Sequence, residues 1–559
     1  MRGSTRLGRR AARVHAVVAC ACCCACTPEP GFGPPPIDSL GAATGGSGSS
    51  TGASIDPAPD PCAVAVPGDG ADTTAGASDG DGGFKFDVGG PDGNIGFGLS
   101  CDDVEHAPSN LGCRFWAVDL PNDERGTPMS PPAADQPFAV VIANVSALED
   151  AHVEIFLGDD TEVLASATVA PTETTTLALG SHNIPAGSSS AGLAALRIES
   201  DVPIAAYQFN PAGNVLEVYS NDASLLLPEQ ALGTDYVATT ADGVLLGMSA
   251  TDPAPVNAGA FVTVVAIVDD TEIEIDASAA LVGNLVSPLV LDRGQVATIV
   301  SDVGTGGGGN LSGTTVHASA PVAVFAGNVA TAIPAEIDGC CADHLEHQLL
   351  PATAWGSRYA VAPPPHPEGS GDAPAVYRFA AGERGSTLSY CPARPDGAPD
   401  ELAPGETFAF TTAVPFTVFA DDRDDAFEIT RFTLSNSALG DGGAGDPAMV
   451  IVTPLGQHEP RSLFVVPEGY AANFITVVVP GEGAVRLDGE PIEAASFAAL
   501  GIVDGVQHRY AQLPLSAGAH TLEAEAPADV TVYGIDEAVG YAFAGGSGVR
   551  ILSVPPAAG

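Results

Sequence analysis

A short run of residues that is apolar on both faces recurs along the chain. The segment SDVPIAAYQFN (200–210) is matched by SAPVAVFAGN (319–328), with proline, an aromatic residue and asparagine in the same positions. Weaker copies are VPFTVF (414–419) and DVTVY (529–533). Proline cannot donate a ladder hydrogen bond but fits at the start of a strand, so the pattern predicts strands that begin at the proline and are buried on both sides. The chain is therefore predicted to use one β unit several times.

A second motif follows the first at a similar spacing, which indicates internal duplication. LLPEQALGTDY (226–236) is matched by LLPATAWGSRY (349–359). Short β-branched runs at 138–144 and 152–156 have counterparts in the same order at 261–268 and 271–275. A third unit covers 376–421, and a last unit follows the Gly-rich segment 440–445. No amphipathic helix of ordinary length is predicted, so we expect an all-β fold of tandem β-sandwich units built from repeated short antiparallel strands.

The N-terminal segment differs in composition from the rest of the chain. Five arginines up to Arg13 precede a short apolar, Cys-rich run, which is typical of an export signal at residues 1–26. VVAC (17–20) resembles a bacterial lipobox, so Cys20 is a candidate lipidation site; cleavage that releases the protein is the alternative. Residues 27–100 are rich in Pro, Gly, Ser and Asp and contain few aliphatic side chains. They cannot bury enough apolar surface to offset backbone ordering and are predicted to be a disordered stalk.

The charge balance limits the partners. The chain has 20 Lys and Arg against 69 Asp and Glu, a formal net charge of −49. This excludes nucleic acid or anionic lipid as a ligand of a basic surface. We expect contact with a membrane only through a lipid anchor. The acidic composition favours a role in keeping the protein soluble outside the cell. Cation binding is the more specific alternative explanation of the acidity.

One segment, CCADHLEH (340–347), concentrates metal-ligating residue types. Cys340, Cys341, His344 and His347 could supply zinc ligands, with both histidines on one face of a helical turn. However, adjacent cysteines cannot easily bind one ion together, and no second ligand pair lies at zinc-finger spacing. The favoured alternative is a structural loop in which His344 and Glu346 hydrogen-bond the backbone, and we expect no metal or other cofactor.

Export makes disulfides the default state of the later cysteines. Cys101 and Cys113 bracket a short polar loop and are expected to pair. Cys391 is expected to pair with Cys340 or Cys341.

Other candidate sites have structural explanations. A general acid/base set could be imagined from the acids of residues 421–425, although such a run in a turn is more often a solvated surface. Trp116, Trp355 and Tyr359 could line a sugar-binding face, but a packing role explains Trp355 and Tyr359 better because both lie in the repeated Leu-Leu-Pro motif. No nucleophile elbow, zincin helix or phosphate-binding loop is present in the sequence. The chain is therefore predicted not to be an enzyme.

Four segments together resemble one known family: NLGCRFWAVD (110–119), AAYQFN (205–210), SNDASLLLP (220–228) and DHLEHQLLP (343–351). They are similar to the IgGFc-binding protein N-terminal domain family. The resemblance implies a secreted or lipoprotein member of the bacterial, myxobacterial type, with a duplicated β domain at 101–430 and a C-terminal β-sandwich unit at 446–559.

These observations predict an exported, non-catalytic adhesion or recognition protein on the cell surface, or secreted, with a protein or glycan ligand. The sequence identifies no binding residues. Two alternatives stay open: an envelope hydrolase that uses the 340–347 loop, and a structural envelope or matrix component without a specific ligand.

Overall fold

The computed structural model describes Cys62 and residues 99–553, except 107–108, 126–130, 213–219, 247–255, 305–306, 336–341, 370, 440–444 and 537–538. The predicted export signal, Cys20 and nearly all of the predicted stalk lie outside the described residues. The described chain is almost entirely β, which confirms the predicted fold class. Its helices are α1 (Cys101–Glu105), α2 (Asn436–Leu439) and the 3₁₀ helices Ala133–Asp135, Glu229–Ala231, Ala352–Ala354, Leu455–Gln457 and Ala494–Ser496.

The strands fall into four units with the same connectivity, of which the first two occupy residues 112–225 and 233–348. Unit 1 contains β1 (Gly112–Ala117), β2 (Phe138–Asn144), β3 (Ala151–Leu157), β4 (Val163–Val169), β5 (Thr174–Gly180), β6 (Ser190–Ala194), β7 (Leu196–Asn210) and β8 (Asp222–Leu225). Unit 2 contains β9 (Gly233–Val237), β10 (Val244–Leu246), β11 (Val256–Ala258), β12 (Ala260–Ala266), β13 (Thr271–Asp276), β14 (Leu289–Leu291), β15 (Gln295–Val300), β16 (Thr315–Thr331) and β17 (Asp343–Gln348).

The third and fourth units occupy residues 358–451 and 459–544. Unit 3 contains β18 (Arg358–Val361), β19 (Ala375–Ala381), β20 (Ser386–Cys391), β21 (Glu401–Leu402), β22 (Thr407–Thr412), β23 (Phe416–Ala420), β24 (Phe427–Thr433) and β25 (Met449–Ile451). Unit 4 contains β26 (Glu459–Val466), β27 (Ala472–Pro480), β28 (Val485–Leu487), β29 (Glu490–Pro491), β30 (Ala498–Val503), β31 (Val506–Leu515), β32 (Gly518–Asp536) and β33 (Val539–Ala544).

A long strand organises units 1, 2 and 4. In unit 1, the first part of β7 pairs with β3 and β1, and its second part pairs with β2 and β8. The long strands β16 of unit 2 and β32 of unit 4 pair in the same order with the four equivalent strands of their own units. Residues from both parts of β7, such as Ile198 and Ile204, belong to one buried core, so the two halves of the sheet enclose it as a sandwich.

The repeated proline lies inside the long strand and does not begin it. Pro203 falls between the residues of β7 that pair with β3 and those that pair with β2, where neither partner requires its missing N–H group. The expectation of a strand start at Pro203 was therefore wrong, whereas residues 203–210 are buried on both faces as predicted.

Unit 3 departs from the others because its long strand is divided. β23 pairs with β18 and β20, and β24 pairs with β19 and β25, so the two halves form separate four-stranded sheets. The copy of the sequence motif at Pro415 precedes β23, which occupies the place of the first half of β7. The element equivalent to residues 204–210 is β24, and the sequence motif did not identify it.

The four units pack in a closed ring. Separate apolar cores join unit 1 to unit 2, unit 2 to unit 3, unit 3 to unit 4 and unit 4 back to unit 1. β6 of unit 1 also extends the sheet of unit 2 by pairing with β15. Near the ends of the described chain, the backbone N–H of Asn110 donates a hydrogen bond to the backbone carbonyl of Ser547 at 3.0 Å. Strands of all four units meet at the centre of the ring.

Candidate functional site

The two histidines of the zinc hypothesis lie on β17 and not on a helical turn. Side chains alternate between the faces of a strand, so His344 and His347, three positions apart, lie on opposite faces. The expectation of one shared metal-binding face was therefore wrong. The His344 ring stacks on Phe261, with 5.8 Å between ring centroids. Burial lowers the pKa of His344 to about 3 and that of His347 to about 4, so both rings are neutral near neutral pH.

The described cysteines form two disulfides. Cys101 is bonded to Cys113. Cys391, at the end of β20, is bonded to Cys62, and their Cα atoms lie 5.5 Å apart. The expected pairing of Cys391 with Cys340 or Cys341 is thus replaced by a link to the N-terminal segment. Cys340 and Cys341 lie outside the described residues.

Four edge strands, one from each unit, meet at the centre of the ring: β8, β17, β25 and β33. We call these four strands the hub. Each pairs with the long strand of its own unit, or with β24 in unit 3, and packs against the hub strands of both neighbouring units. Every residue of the hub is buried. Polar side chains in the hub must therefore find their partners inside the protein.

Asp222 at the start of β8 connects all four units. Its Oδ1 accepts hydrogen bonds from the backbone N–H of Ala223 at 2.9 Å and of Ala542 at 3.3 Å. Its Oδ2 accepts from the backbone N–H of Glu346 and of Met449, both at 3.2 Å. Burial raises the pKa of Asp222 well above its usual range, although the backbone donors of Ala223, Glu346 and Met449 act against that shift. One carboxyl group thus holds the hub strands in register with one another.

Asp343 and Asp446 occupy matching positions, since each lies eight residues before the proline that follows its hub strand. Asp343 Oδ1 accepts from the backbone N–H of Asn221 at 2.6 Å and of His344 at 2.8 Å, and its Oδ2 lies 3.4 Å from the amide of Gly540. Burial raises the pKa of Asp343 and Asp446, and the Asp446 charge raises that of Asp343 further. Both acids therefore favour the neutral form unless a positive charge joins them.

Glu346 lies on the same face of β17 as His344 and is fully buried. Its Oε2 lies 3.3 Å from His344 Nε2, and its Oε1 accepts a hydrogen bond from Gln208 Nε2 at 3.2 Å. Gln208 Oε1 in turn accepts from the backbone N–H of Val118 at 3.0 Å. Burial raises the pKa of Glu346 well above its usual range. The prediction that Glu346 hydrogen-bonds the backbone was wrong, because its carboxyl group contacts the side chains of Gln208 and His344.

The remaining candidate residues lie away from the hub. Asp422, Asp424 and Asp425 surround Arg384 on the protein surface at 3.0–3.9 Å, as a solvated charge cluster would. Trp116, Trp355 and Tyr359 are buried in apolar cores, so none of the three presents a face for a sugar. Across the described ranges, no group of three or more His, Cys, Asp or Glu side chains is arranged to hold a metal ion.

Comparison with known proteins assigns the family. A family model described as IgGFc binding protein matches residues 222–534, more than half of the chain. The chain belongs to this family. The human IgGFc-binding protein is 26% identical over 365 residues, which are 64% of this chain but 6% of the relative. The chain thus corresponds to a small part of the length of that relative.

The IgGFc-binding family match begins at Asp222, the first residue of the hub, and ends within β32. It includes three of the four hub strands and the whole of units 2 and 3. The predicted resemblance at 101–430 begins earlier, in unit 1, and stops before unit 4. Among the described residues of this family member, no helix has the length and apolar character needed to cross a membrane.

Sequence reasoning missed the residues that hold the hub together. Asp222 lies in SNDASLLLP (220–228), one of the segments that resemble the family, but neither Asp222 nor Asp446 has a predicted role. Unit 3 contains a third copy of the Leu-Leu-Pro motif, MVIVTP (449–454), which also ends in proline and leads into a 3₁₀ helix. Aligning the copies on this proline places Asp446 opposite Asp343. In this copy Val452 and Thr453 replace the two leucines of the motif, so the repeat is not recognisable from residue identity.

Proposed function

We propose that this member of the IgGFc-binding family is a non-catalytic binding protein outside the cell. The proposal favours a protein ligand, because the matched human relative is named for binding IgG Fc. A glycan ligand is the other outcome that the test below distinguishes.

The burial of the hub is the observation that carries the proposal. His344 and Glu346, the residues on which a hydrolase would depend, have no solvent-exposed surface. His344 Nε2 faces the Glu346 carboxyl group, which also accepts a hydrogen bond from Gln208 on β7. His344 is neutral because burial lowers its pKa to about 3. A substrate would have to open the ring to reach them. Recognition by an exposed surface, supported by a rigid centre, requires no such opening.

The recognition surface that we propose is an open groove of about 680 Å³ on unit 1. This volume lies within the range of roughly 300–1,000 Å³ typical of ligand sites. Carboxylates and hydroxyls can bond basic side chains or sugar hydroxyls. The polar residues that line the groove are His152, Glu154, Ser166, Thr168, Glu199, Ser200 and Asp201.

Unit 2 provides a matched comparison for this groove. Glu274 on β13 occupies the position of Glu154 on β3 and is also exposed. His317 and Ser319 stand where unit 1 has Glu199 and Asp201, so the two equivalent faces differ in charge. A ligand that requires the acidic face will therefore distinguish unit 1 from unit 2.

We further propose that the chain is exported and held on a bacterial envelope through a lipid on Cys20. The support is the arginine-rich start and the VVAC sequence (17–20). Mass spectrometry of the mature N-terminus tests the anchor: a lipid-modified Cys20 is expected, and an unmodified N-terminus after residue 26 contradicts it.

Binding of the full mature chain to cell surfaces, immunoglobulin and a glycan array tests the proposed function. Saturable binding is expected, and Glu154→Ala should weaken it at least about tenfold, the effect of losing roughly 1.4 kcal/mol. Glu274→Ala is the matched control and should leave it unchanged. If no probe binds at micromolar protein, the chain is a structural component without a specific ligand. A hydrolytic activity that is lost in His344→Ala would instead support the hydrolase alternative.

A further inference from the structure

Three oxygen-bearing side chains from three different units lie at the start of a hub strand or up to three residues before it: Asn221, Asp343 and Asp446. Asp446 is 3% exposed, and both of its carboxylate oxygens have no hydrogen-bond partner in the described protein. Asn221 is 2% exposed, and its Oδ1 also has no partner there. A buried carboxylate with no donor is costly, and a bound cation would remove that cost.

Backbone contacts bring the three residues close to one another. The backbone N–H of Asn221 donates to Asp343 Oδ1 at 2.6 Å, while its side-chain Nδ2 donates to the hydroxyl of Tyr470 at 2.6 Å. The amide of Gly540 lies 3.4 Å from Asp343 Oδ2. Gly540 also packs so closely on Asp446 that a Cβ atom there would lie 2.9 Å from the Asp446 carbonyl oxygen. Asp343 therefore lies between Asn221 and the segment that carries Asp446.

No basic side chain neutralises these acids. Within the described ranges, no ion pair involves Asp343 or Asp446. The His344 ring faces Glu346, and Arg431 donates to the carbonyl of Ala362 at 2.7 Å. Backbone N–H groups partly satisfy the Asp343 carboxylate, but no positively charged group of the described protein forms an ion pair with either acid.

We propose that Asn221, Asp343 and Asp446 bind a hard divalent cation of the calcium type, which joins units 1, 2 and 3. All the available donors are oxygens, and two carboxylates balance the charge of the ion. Calcium accepts six to eight oxygen ligands in irregular geometry, including amide and backbone carbonyl oxygens, whereas magnesium requires a near-ideal octahedron. The ligand set has only two acids, so carbonyl groups and water complete it.

The surroundings have room for water ligands and attract cations. A cavity of about 30 Å³ adjoins the site and is lined in part by Asp446, Gly540 and Tyr541. A space of roughly 10–15 Å³ is enough for one water molecule. The net charge of −49 also raises the concentration of cations around the protein.

Calcium content and thermal unfolding of the full chain test this site. We expect stoichiometric calcium by elemental analysis after extensive dialysis, and a Tm that falls by at least ~2 °C after a chelator removes it. Adding millimolar calcium should restore the Tm, and magnesium should restore less. Asp446→Asn should abolish the response to calcium. Asp424→Asn removes a carboxylate from the exposed cluster around Arg384 and should leave the response intact.

Two results would overturn the proposal. One is a wild-type protein that contains no calcium and whose Tm does not change when calcium is added after chelation. The other is an Asp446→Asn protein that keeps the full response. If Asp446→Asn does not fold, Asn221→Asp provides the test. The added negative charge should tighten calcium binding at least about tenfold, because the number of charged ligands tunes the affinity of calcium sites. Unchanged or weaker calcium binding would contradict the proposed site.

Discussion

At the scale of single residues, burial sets the protonation of Asp119 and Glu428. Burial raises the pKa of each carboxyl group to about 8. Asp119 Oδ2 accepts the backbone N–H of His182 at 2.6 Å, which favours the charged form but does not outweigh the burial. Because an unfolded carboxyl group titrates near pH ~4, the folded protein holds these protons over a pH range in which the unfolded chain has released them.

The free energy of unfolding should therefore decrease as the pH rises from about 6.5 to about 8. A carboxyl group with a raised folded pKa contributes stability that is complete below its unfolded pKa and is lost as the pH rises through its folded pKa. Histidines such as His347, with a lowered pKa of about 4, act in the opposite direction, but only below pH ~6.5. Each buried carboxyl group should contribute up to about 1.4 kcal/mol per pH unit to the slope.

Urea unfolding of the wild type and Asp119→Asn at pH 6.5, 7 and 8 measures this slope. Asparagine can still accept from His182, so the substitution should flatten the pH dependence without removing the hydrogen bond. Asp424→Asn, an exposed control, should leave the slope unchanged. A stability that is constant or increases over this range would contradict the assigned protonation.

Trp116 is a second residue whose role depends on long-range contacts. Its Nε1 donates to Glu229 at 2.8 Å, and the guanidinium groups of Arg197 and Arg293 lie 5.9 and 5.7 Å from its ring centroid. Arg293 belongs to unit 2, so the ring and its partners join the first two units.

Trp116→Phe should lower the free energy of unfolding by about 1–3 kcal/mol, because the buried indole donor to Glu229 is lost. Arg114→Ala removes a half-exposed ion pair with the same Glu229 at 3.3 Å and should cost less than about 1 kcal/mol. Chemical denaturation of both variants compares the two effects. An equal or smaller loss in Trp116→Phe would contradict the proposed role of the ring.

At the scale of elements, local patterns predicted strands better than their boundaries. The run 138–144 coincides with β2, and 152–156 lies within β3. In unit 4, however, the copy of the repeat at 529–533 is only the second part of the 19-residue strand β32. Pro527 and polar residues interrupt the pattern at the bend, where the partner changes from β28 to β27. A change of partner is a tertiary event that hydrophobic periodicity does not record.

The hub could not be predicted for the same reason. The donors to Asp222 include residues up to 320 positions away, and no local motif relates them. The repeated Leu-Leu-Pro motif directly follows β8 and β17, but the local pattern predicts neither strand and favours a loop at 340–347. The contacts among the four hub strands arise only when the ring closes.

Close packing between β16 and β17 gives a prediction at this scale. Gly327 on β16 pairs with Glu346, and a methyl group there would clash with the carbonyl oxygen of Leu345. Gly327→Ala should therefore destabilise the protein by about 1–3 kcal/mol or more, because a packed backbone must move. Gly187, where an added Cβ meets no atom within 4 Å, is the matched control and should tolerate alanine. Equal thermal stability of the two variants would contradict the close approach.

At the scale of the whole molecule, the four units are expected to unfold as one body. Their cores are shared between neighbours, β6 of unit 1 completes the sheet of unit 2, and Asp222 accepts a donor from every unit. Units in a linear array contact only their neighbours and can open independently. A closed ring has no terminal unit, so loss of the centre should affect all four units.

Hydrogen exchange of Asp222→Asn tests the closed ring most directly. The amide of asparagine replaces one acceptor oxygen with a donor, so backbone N–H groups from other units lose their partner at a cost of about 1–3 kcal/mol each. Protection should fall together in β8, β17, β25 and β33, with a single unfolding transition at lower denaturant. A loss of protection confined to β8 and β7, with the other three hub strands unchanged, would contradict it.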